Sequence, residues 1–105
     1  MDQTLIEKRK LIIDSLKTIY DPEIALNIWD LGLVYGVDVT TEGVVTVVMT
    51  LTSPNCPAID ILPQQIEDMV ESLDFVTNFK LNLVWDPPWD KTLMSEEARL
   101  ELGLL

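Results

Sequence analysis

Residues 49–58 read MTLTSPNCPA, a pattern that predicts the passage from a buried strand through a turn into a helix. Pro57 follows Cys56, and proline is favoured at the first position of a helix, where no N–H group is needed. Cys56 is therefore expected at or beside the N-cap of that helix. A thiol there would face free backbone N–H groups and the positive end of the helix dipole, which favours the thiolate.

The same stretch supplies further candidate functional side chains. If a strand covers residues 44–52, Thr50 and Thr52 share one of its faces and lead towards Cys56, and Ser53 adds another hydroxyl. The alternative is that Cys56 is a small buried apolar residue, as free cysteine often is. Nearby carboxylates would also oppose the thiolate. The local pattern leaves both interpretations of the thiol open.

Composition and charge limit the classes of protein to which this chain can belong. The chain has 105 residues, of which 48% are apolar, so we expect one domain with a real core. The net charge is −11, from 7 basic and 18 acidic residues, which disfavours nucleic acids and anionic membrane surfaces as partners. The chain has no histidine. This excludes Ser-His-Asp and Cys-His catalysis and histidine metal sites within one chain.

The single cysteine excludes an internal disulfide bond, as is typical of a reducing compartment. No apolar run approaches the roughly 20 residues that span a bilayer. The first ten residues, MDQTLIEKRK, are charged and contain no signal-peptide core. We therefore expect a cytoplasmic protein.

Apolar residues at helical spacing predict a first helix over residues 4–20. Its apolar stripe comprises Leu5, Ile12, Ile13, Leu16, Ile19 and Tyr20. The helix is expected to end at Asp21, because a residue before proline is pushed out of the α region. Asp21 and Glu23 then either only end the helix or form a pair of acidic groups near the thiol.

A short turn is predicted next, with Asn27 as its cap and Gly32 at its end. Trp29 within it is either a core residue or an exposed interface anchor. A β-hairpin follows, with strands at residues 34–39 and 44–52 and Gly43 in the turn. One face of the first strand carries Tyr35, Val37 and Val39, and one face of the second carries Val45, Val47, Met49 and Leu51.

Residues 57–73 predict a second helix whose apolar stripe begins at Ile59. Pro63 either kinks this helix or marks its true start after a single turn at residues 57–60. Residues 75–85 predict a third strand, in which Trp85 faces the core.

The last part of the chain predicts a loop and a short helix. Asp-Pro-Pro-Trp, ending at Trp89, breaks regular structure, and Trp89 either fills the core or anchors an interface. Ser95 is expected to cap the final helix, which Gly103 ends. Leu100 and Leu102 are expected to supply some burial.

The predicted order of elements is α-β-β-α-β-α. The second and third strands, joined through a helix, should be parallel with a right-handed crossover. The predicted fold is therefore α+β, a two-layer sandwich of helices on a small mixed β-sheet, in a single domain over residues 1–105.

Five motifs occur in order along nearly the whole chain. They are Asp-Pro-Glu at residues 21–23, NIWDLGLVY at 27–35, MTLTSPNCP at 49–57, LVWDPPW at 83–89 and MSEEAR at 94–99. Each motif alone is weak, but together they are highly specific. The chain resembles the SufT/PaaD-like family, also called domain of unknown function 59.

This resemblance implies a domain of the iron–sulfur cluster assembly type, related to the NifU C-terminal domain, with a role in iron–sulfur protein maturation and often self-association. The family's cysteine falls on Cys56 and its Asp-Pro-Glu on Asp21 and Glu23. Its Thr-x-Thr-Ser motif falls on Thr50, Thr52 and Ser53. NifU-type carriers use a paired Cys-x-x-Cys, whereas this chain has Cys56 alone.

Ordinary iron–sulfur clusters take four thiolates, or two thiolates with two histidines, and one chain offers a single thiolate. Any cluster or iron is therefore expected to be transient and shared between the two Cys56 thiols of a homodimer. The expected partners are iron–sulfur apoproteins and cluster-assembly proteins.

Two other functions stay open on the sequence. One is a metal-free adaptor protein, in which Cys56 contacts a client. The other is an accessory subunit of a ring-hydroxylating oxygenase, as the PaaD branch of the family suggests. An enzyme is least favoured, because a lone thiol without histidine has no obvious general base.

Overall fold

The elements of the computed structural model, which describes residues 3–53 and 57–103, follow the predicted order. They are α1 (Gln3–Leu16), β1 (Val34–Val39), β2 (Val44–Met49), α2 (Leu62–Glu71), β3 (Asn78–Leu83) and α3 (Glu96–Glu101). Single 3₁₀ turns at Pro57–Asp60 and Lys91–Leu93 precede α2 and α3. Within the described ranges, no helix combines the length and apolar character needed to cross a membrane.

The three strands form one mixed sheet in the order β1-β2-β3. β1 and β2 pair antiparallel as a hairpin, and Gly43 in its turn has a φ of +88°. β2 and β3 pair in parallel, from Val44 opposite Asn78 to Met49 opposite Leu83. The predicted hairpin and the predicted parallel crossover are both confirmed.

The core lies between the sheet and two helices. α1 packs on β1, α2 packs on β3, and the two helices contact each other. The fully buried side chains include Ile12, Leu16, Val45, Val47, Met49, Leu62, Ile66 and Val70. The predicted α+β sandwich of helices on a small mixed sheet is therefore confirmed.

α1 ends at Leu16, four residues before its predicted end. The N–H groups of Thr18 and Ile19 bond to carbonyls only three residues back, which tightens and ends the helix. Tyr20 then forms an isolated β-bridge with Asn27. Its side chain is 58% exposed, so the prediction that Tyr20 widens the apolar stripe is wrong.

α2 begins at Leu62, with Pro63 in its first turn, so the second of the two predicted alternatives is the one observed. Proline is tolerated there because the first N–H groups of a helix have no intrahelical partner. Ile59 lies in the separate 3₁₀ turn and is exposed, contrary to its predicted place in the apolar stripe.

β2 and β3 are both shorter than predicted. β2 ends at Met49, although the N–H of Thr50 still donates to the carbonyl of Leu33 at 2.8 Å, next to the Val34–Met49 pair. β3 ends at Leu83, and the inward alternation ends with it. Trp85 is consequently 40% exposed, so its predicted place in the core is wrong.

The final helix is capped as predicted. The hydroxyl of Ser95 accepts a hydrogen bond from the N–H of Ala98 at 3.1 Å, and Gly103 has a φ of +72°. The predicted burial of Leu100 and Leu102 is wrong, because both are exposed. Ala98 is instead the buried residue of this six-residue helix.

Candidate functional site

Three connecting segments meet at the end of the sheet where the parallel strands β2 and β3 stop. The N–H of Thr50 donates to Leu33, and the N–H of Val84 donates to Met49, both at 2.8 Å. Leu33 in turn donates to the carbonyl of Ile28 at 3.1 Å. The residues after β2, the residues after β3 and the turn before β1 are thus joined by backbone hydrogen bonds.

The Asp-Pro-Glu turn is attached to the same end of the sheet. Ile28 donates its N–H to the carbonyl of Ile19 at 2.9 Å, two residues before Asp21. The structure therefore brings the predicted acidic turn and the Thr50–Ser53 segment to one end of the molecule. Among residues 3–53 and 57–103, no hydrogen bond joins the two sets of side chains.

Asp21 and Glu23 occupy different environments. Asp21 is only 3% exposed, and its Oδ1 accepts hydrogen bonds from the N–H groups of Glu23 at 2.8 Å and Ile24 at 2.9 Å. Its Oδ2 is buried and has no hydrogen-bond partner within the described part of the chain. The Glu23 side chain is exposed. Asp21 therefore folds the turn, whereas Glu23 is available to solvent or to a ligand.

The turn before β1 is held by a reciprocal cap. Asn27 Oδ1 accepts from the N–H of Asp30 at 2.9 Å, and Asn27 Nδ2 donates to Asp30 Oδ2 at 2.8 Å. Gly32, with a φ of +81°, ends the turn. The predicted cap and end are both confirmed, and Trp29 lies half-buried against the core.

The hydroxyl side chains after β2 become more exposed along the chain. Thr50 is fully buried, Thr52 is half-buried and Ser53 is exposed. The Thr50 hydroxyl reaches the carbonyl of Leu51 only at 3.5 Å, the outer limit of a hydrogen bond. Thr52 and Ser53 are therefore the hydroxyls that can contact a ligand. Cys56 lies outside the described residues, so its predicted place at the helix N-cap stays a prediction.

The residues after β3 are anchored by two aromatic side chains. Trp89 is half-buried against the core and donates its Nε1–H to the carbonyl of Leu31 at 2.7 Å. The Tyr35 hydroxyl donates to the carbonyl of Pro87 at 2.8 Å. Of the two interpretations of Trp89, the structure shows the packing one, and a role of Trp89 in partner binding stays a prediction.

Tyr35 is a residue of this end of the sheet that the sequence alone did not indicate. A β-bulge between Val34 and Gly36 places Val34, not Tyr35, in register with Met49. The prediction that Tyr35 shares a face with Val37 assumed an uninterrupted alternation, which the bulge breaks. The available signal was Gly36, because a glycine within a strand often marks a bulge.

Tyr35→Phe is expected to lower the free energy of unfolding by about 0.5–1 kcal/mol near neutral pH, through loss of the bond to Pro87. Burial, and then the Asp86 carboxylate, raise the pKa of Tyr35 above its ordinary value of 10.0. A raised pKa stabilises the fold fully below the unfolded value and loses that contribution as pH rises through the folded value.

The wild-type chain should therefore lose stability above pH 10.0 more steeply than Tyr35→Phe. Urea denaturation at a series of alkaline pH values measures the difference. Equal alkaline losses in the two proteins would contradict the proposed environment of Tyr35.

Carboxylate side chains are numerous in the described part of the chain, but they are not grouped for metal binding. Among residues 3–53 and 57–103, no group of three or more Cys, Asp or Glu side chains is placed to hold a metal ion. Clusters of iron and sulfur are held chiefly by thiolates, and the one thiol lies outside these ranges. The described residues therefore do not form a resident cluster site.

The fold and the sheet-end site define a small α+β domain with a cysteine-containing connection between a parallel strand and a helix. A family model described as "Iron-sulfur cluster assembly protein" matches residues 9–80, which is more than half of the chain. The chain belongs to this family.

Individual relatives agree with the family model. The chain is 49% identical over 105 residues to an Fe-S protein maturation auxiliary factor of Porphyromonas gingivalis, and covers 100% of both chains. It is 42% identical over 86 residues to the Fe-S protein maturation auxiliary factor SufT of Staphylococcus aureus, covering 82% of this chain and 98% of that one.

A solved structure shows the same fold. The crystal structure of a domain of unknown function DUF59 from Bacillus anthracis matches with a TM-score of 0.90 and 29% identity, and covers 97% of each chain. The predicted resemblance to the SufT/PaaD-like family is confirmed.

Proposed function

We propose that this chain is an auxiliary factor that assists the assembly or transfer of iron–sulfur clusters to client apoproteins, with Cys56 as its key thiol. The observation that carries the proposal is the 49% identity, along the full length of both chains, to an Fe-S protein maturation auxiliary factor. The factor is a helper rather than an enzyme, and the cytoplasm is the expected compartment for its single free thiol.

The cluster, or iron alone, is cargo in this proposal. One chain offers one thiol, so two chains of a homodimer would each contribute Cys56 to the bound iron. Thiolates of the client then replace the two Cys56 thiolates as iron ligands. The homodimer is released with both thiolates free. A site with few thiolates holds its cargo weakly, and weak binding suits transfer rather than storage.

The sheet-end residues support this role in different ways. The exposed Glu23 carboxylate and the hydroxyls of Thr52 and Ser53 would complete the iron coordination or donate hydrogen bonds to sulfur. Asp21 would position the turn that carries Glu23, through its two bonds to backbone N–H groups. The partners are iron–sulfur apoproteins and cluster-assembly proteins.

Cys56→Ser is expected to abolish iron binding and cluster transfer without unfolding the protein, because serine differs from cysteine by one atom. Both proteins would be reconstituted anaerobically with ferrous iron and sulfide, and then mixed with an apo-ferredoxin. Visible absorbance, iron per chain and oligomeric state are measured together. The wild type should bind about half a cluster or less per chain, as a dimer, and only the wild type should restore the ferredoxin spectrum.

Ser53→Ala removes a neighbouring hydroxyl of the proposed site and keeps the thiol. It should bind iron more weakly than the wild type and transfer it at a reduced rate, whereas Cys56→Ser should bind none. If neither the wild type nor Cys56→Ser binds iron, the carrier role is excluded. The metal-free adaptor role would then be the better account, and co-purification with an iron–sulfur client would be its test.

A further inference from the structure

A groove with a volume of about 590 Å³ lies between the end of α1 and one face of α2. Its walls are formed by Thr18, Ile19, Tyr20, Gln65, Asp68, Met69 and Ser72. Gln65, Asp68 and Met69 of α2 and its C-cap Ser72 follow helical spacing and therefore form a single stripe. Ile19 is buried and Met69 half-buried, whereas Tyr20 exposes its ring over the groove. The groove thus combines an apolar floor with a polar rim.

The electrostatics of this groove favour a cation. Asp68 is the one ionised side chain on its walls within the described residues, and Lys17 lines a different cavity with Asp30. Residues 57–79 include five acidic residues and no basic one. Ser72 is the C-cap of α2, and the groove begins just past the end of α1, so both helices present the negative ends of their dipoles.

We propose that this groove docks a segment of a partner protein in which a lysine or arginine lies next to an apolar side chain. The apolar side chain would insert between Tyr20 and Met69, and the cation would pair with Asp68. Gln64 already donates its amide to Asp68 Oδ1 at 2.9 Å, which orients the carboxylate and leaves Oδ2 for the ligand.

The charge of the groove decides the class of occupant. An acidic segment, a nucleic acid or an anionic lipid surface would meet Asp68 and two negative helix ends, and like charges disfavour each of them. A protein segment with a basic and an apolar side chain can pair its cation with Asp68 and bury its apolar side chain in the groove. The inference requires nothing of Cys56, so it stands or falls separately from the proposed cluster transfer.

The test is a titration of the ¹⁵N-labelled full chain with three capped peptides of about ten residues each, followed by NMR. One peptide alternates leucine with lysine, one leucine with glutamate, and one serine with lysine. The leucine–lysine peptide should shift the amide signals of Tyr20, Gln65, Asp68 and Met69 saturably. The other two peptides should bind at least about ten-fold more weakly, because each lacks one of the two required groups.

Asp68→Asn and Tyr20→Ser should each raise the Kd of the leucine–lysine peptide by about five-fold or more. Asp68→Asn keeps an acceptor for Gln64, so it removes charge without removing that bond. Asp38→Asn, on the opposite face of the sheet, and Leu100→Ser, on α3, are the matched controls and should leave the Kd unchanged. Thermal unfolding confirms that each variant is folded.

Any one of three outcomes with the unsubstituted chain would overturn the proposal. They are the absence of any saturable shift with the leucine–lysine peptide, equal binding of all three peptides, and shifts centred away from α2. An equal loss of affinity in Asp68→Asn and Asp38→Asn would also overturn it, because net charge rather than the groove would then explain the binding.

Discussion

Gly32→Ala is expected to lower the free energy of unfolding by about 3 kcal/mol or more, and the melting temperature by roughly 10 °C or more. Gly32 has a φ of +81°, a conformation that costs other L residues about 1 kcal/mol. An added Cβ would also overlap the backbone carbonyl of Leu93. Urea and thermal denaturation of the purified variant measure both quantities.

The backbone at Leu93 cannot move away cheaply. The N–H of Leu93 donates to Asp90 at 2.9 Å, and the N–H of Ser95 donates to the carbonyl of Asp30 at 2.8 Å. These bonds fix the segment on either side of the contact. Relief of the overlap would therefore break hydrogen bonds as well as packing, and this raises the expected cost above that of backbone strain alone.

Substitutions at two other glycines distinguish the energetic cost of a positive φ from that of steric overlap. Gly103 has a φ of +72° but open space around it, so Gly103→Ala should cost about 1 kcal/mol. Gly36 would bring a Cβ only to ordinary contact, 3.8 Å from the Cβ of Val48, so Gly36→Ala should change stability by roughly 0.5 kcal/mol or less. If Gly32→Ala costs no more than Gly103→Ala, the close approach to Leu93 is contradicted.

The position of Gly32 links this stability to the candidate site. Its neighbours Leu31 and Leu33 supply the carbonyls that accept from Trp89 Nε1 and from the N–H of Thr50. Displacement of the turn would therefore disturb both the segment after β2 and the segment after β3.

Local sequence patterns predicted the elements of this fold well. Period-two alternation defined the hairpin, and a helix between two strands implied their parallel pairing. The side chains of Asn27 and Ser95 and the positive φ angles of Gly32, Gly43 and Gly103 confirmed the caps and turns. These features depend on interactions within a few residues, which a single sequence contains.

The failures concern residues at the ends of those elements. Tyr20 and Trp85 continue an apolar pattern, yet Tyr20 lies four residues past the end of α1 and Trp85 two past the end of β3, and both are exposed. Where an element ends depends on which carbonyl accepts the next N–H, as the carbonyls of Ser15 and Leu16 do for Thr18 and Ile19 after α1. Periodicity contains no information about that partner.

In the candidate site, too, the sequence predicted some features and not others. The resemblance selected Asp21 and Glu23 together, but the sequence could not show that one is buried and the other exposed. That difference depends on the turn itself. The Asp21 carboxylate accepts hydrogen bonds from the N–H groups of Glu23 and Ile24 and is buried. This difference also suggests an experiment that separates a structural carboxylate from a functional one.

Asp21→Ala is expected to lower the free energy of unfolding by about 2–4 kcal/mol, because two backbone N–H groups in a buried turn would lose a charged acceptor. Asp21→Asn should cost only about 1 kcal/mol, because its Oδ1 can accept the same two bonds. Chemical denaturation of both variants gives the difference. A cost for Asp21→Asn equal to that of Asp21→Ala would contradict the turn-forming role of Oδ1.

The same two variants also test the role of Asp21 Oδ2. Asp21 Oδ2 is buried without a hydrogen-bond partner among the described residues, and an asparagine would place a neutral NH₂ group there. If Asp21 only folds the turn, Asp21→Asn should retain cluster transfer to apo-ferredoxin. If the buried negative charge acts on the iron or on the Cys56 thiol, Asp21→Asn should be folded yet lose transfer, as is expected of Cys56→Ser. Glu23→Gln, an exposed change of one charge in the same turn, separates loss of the Asp21 charge from a general loss of negative charge.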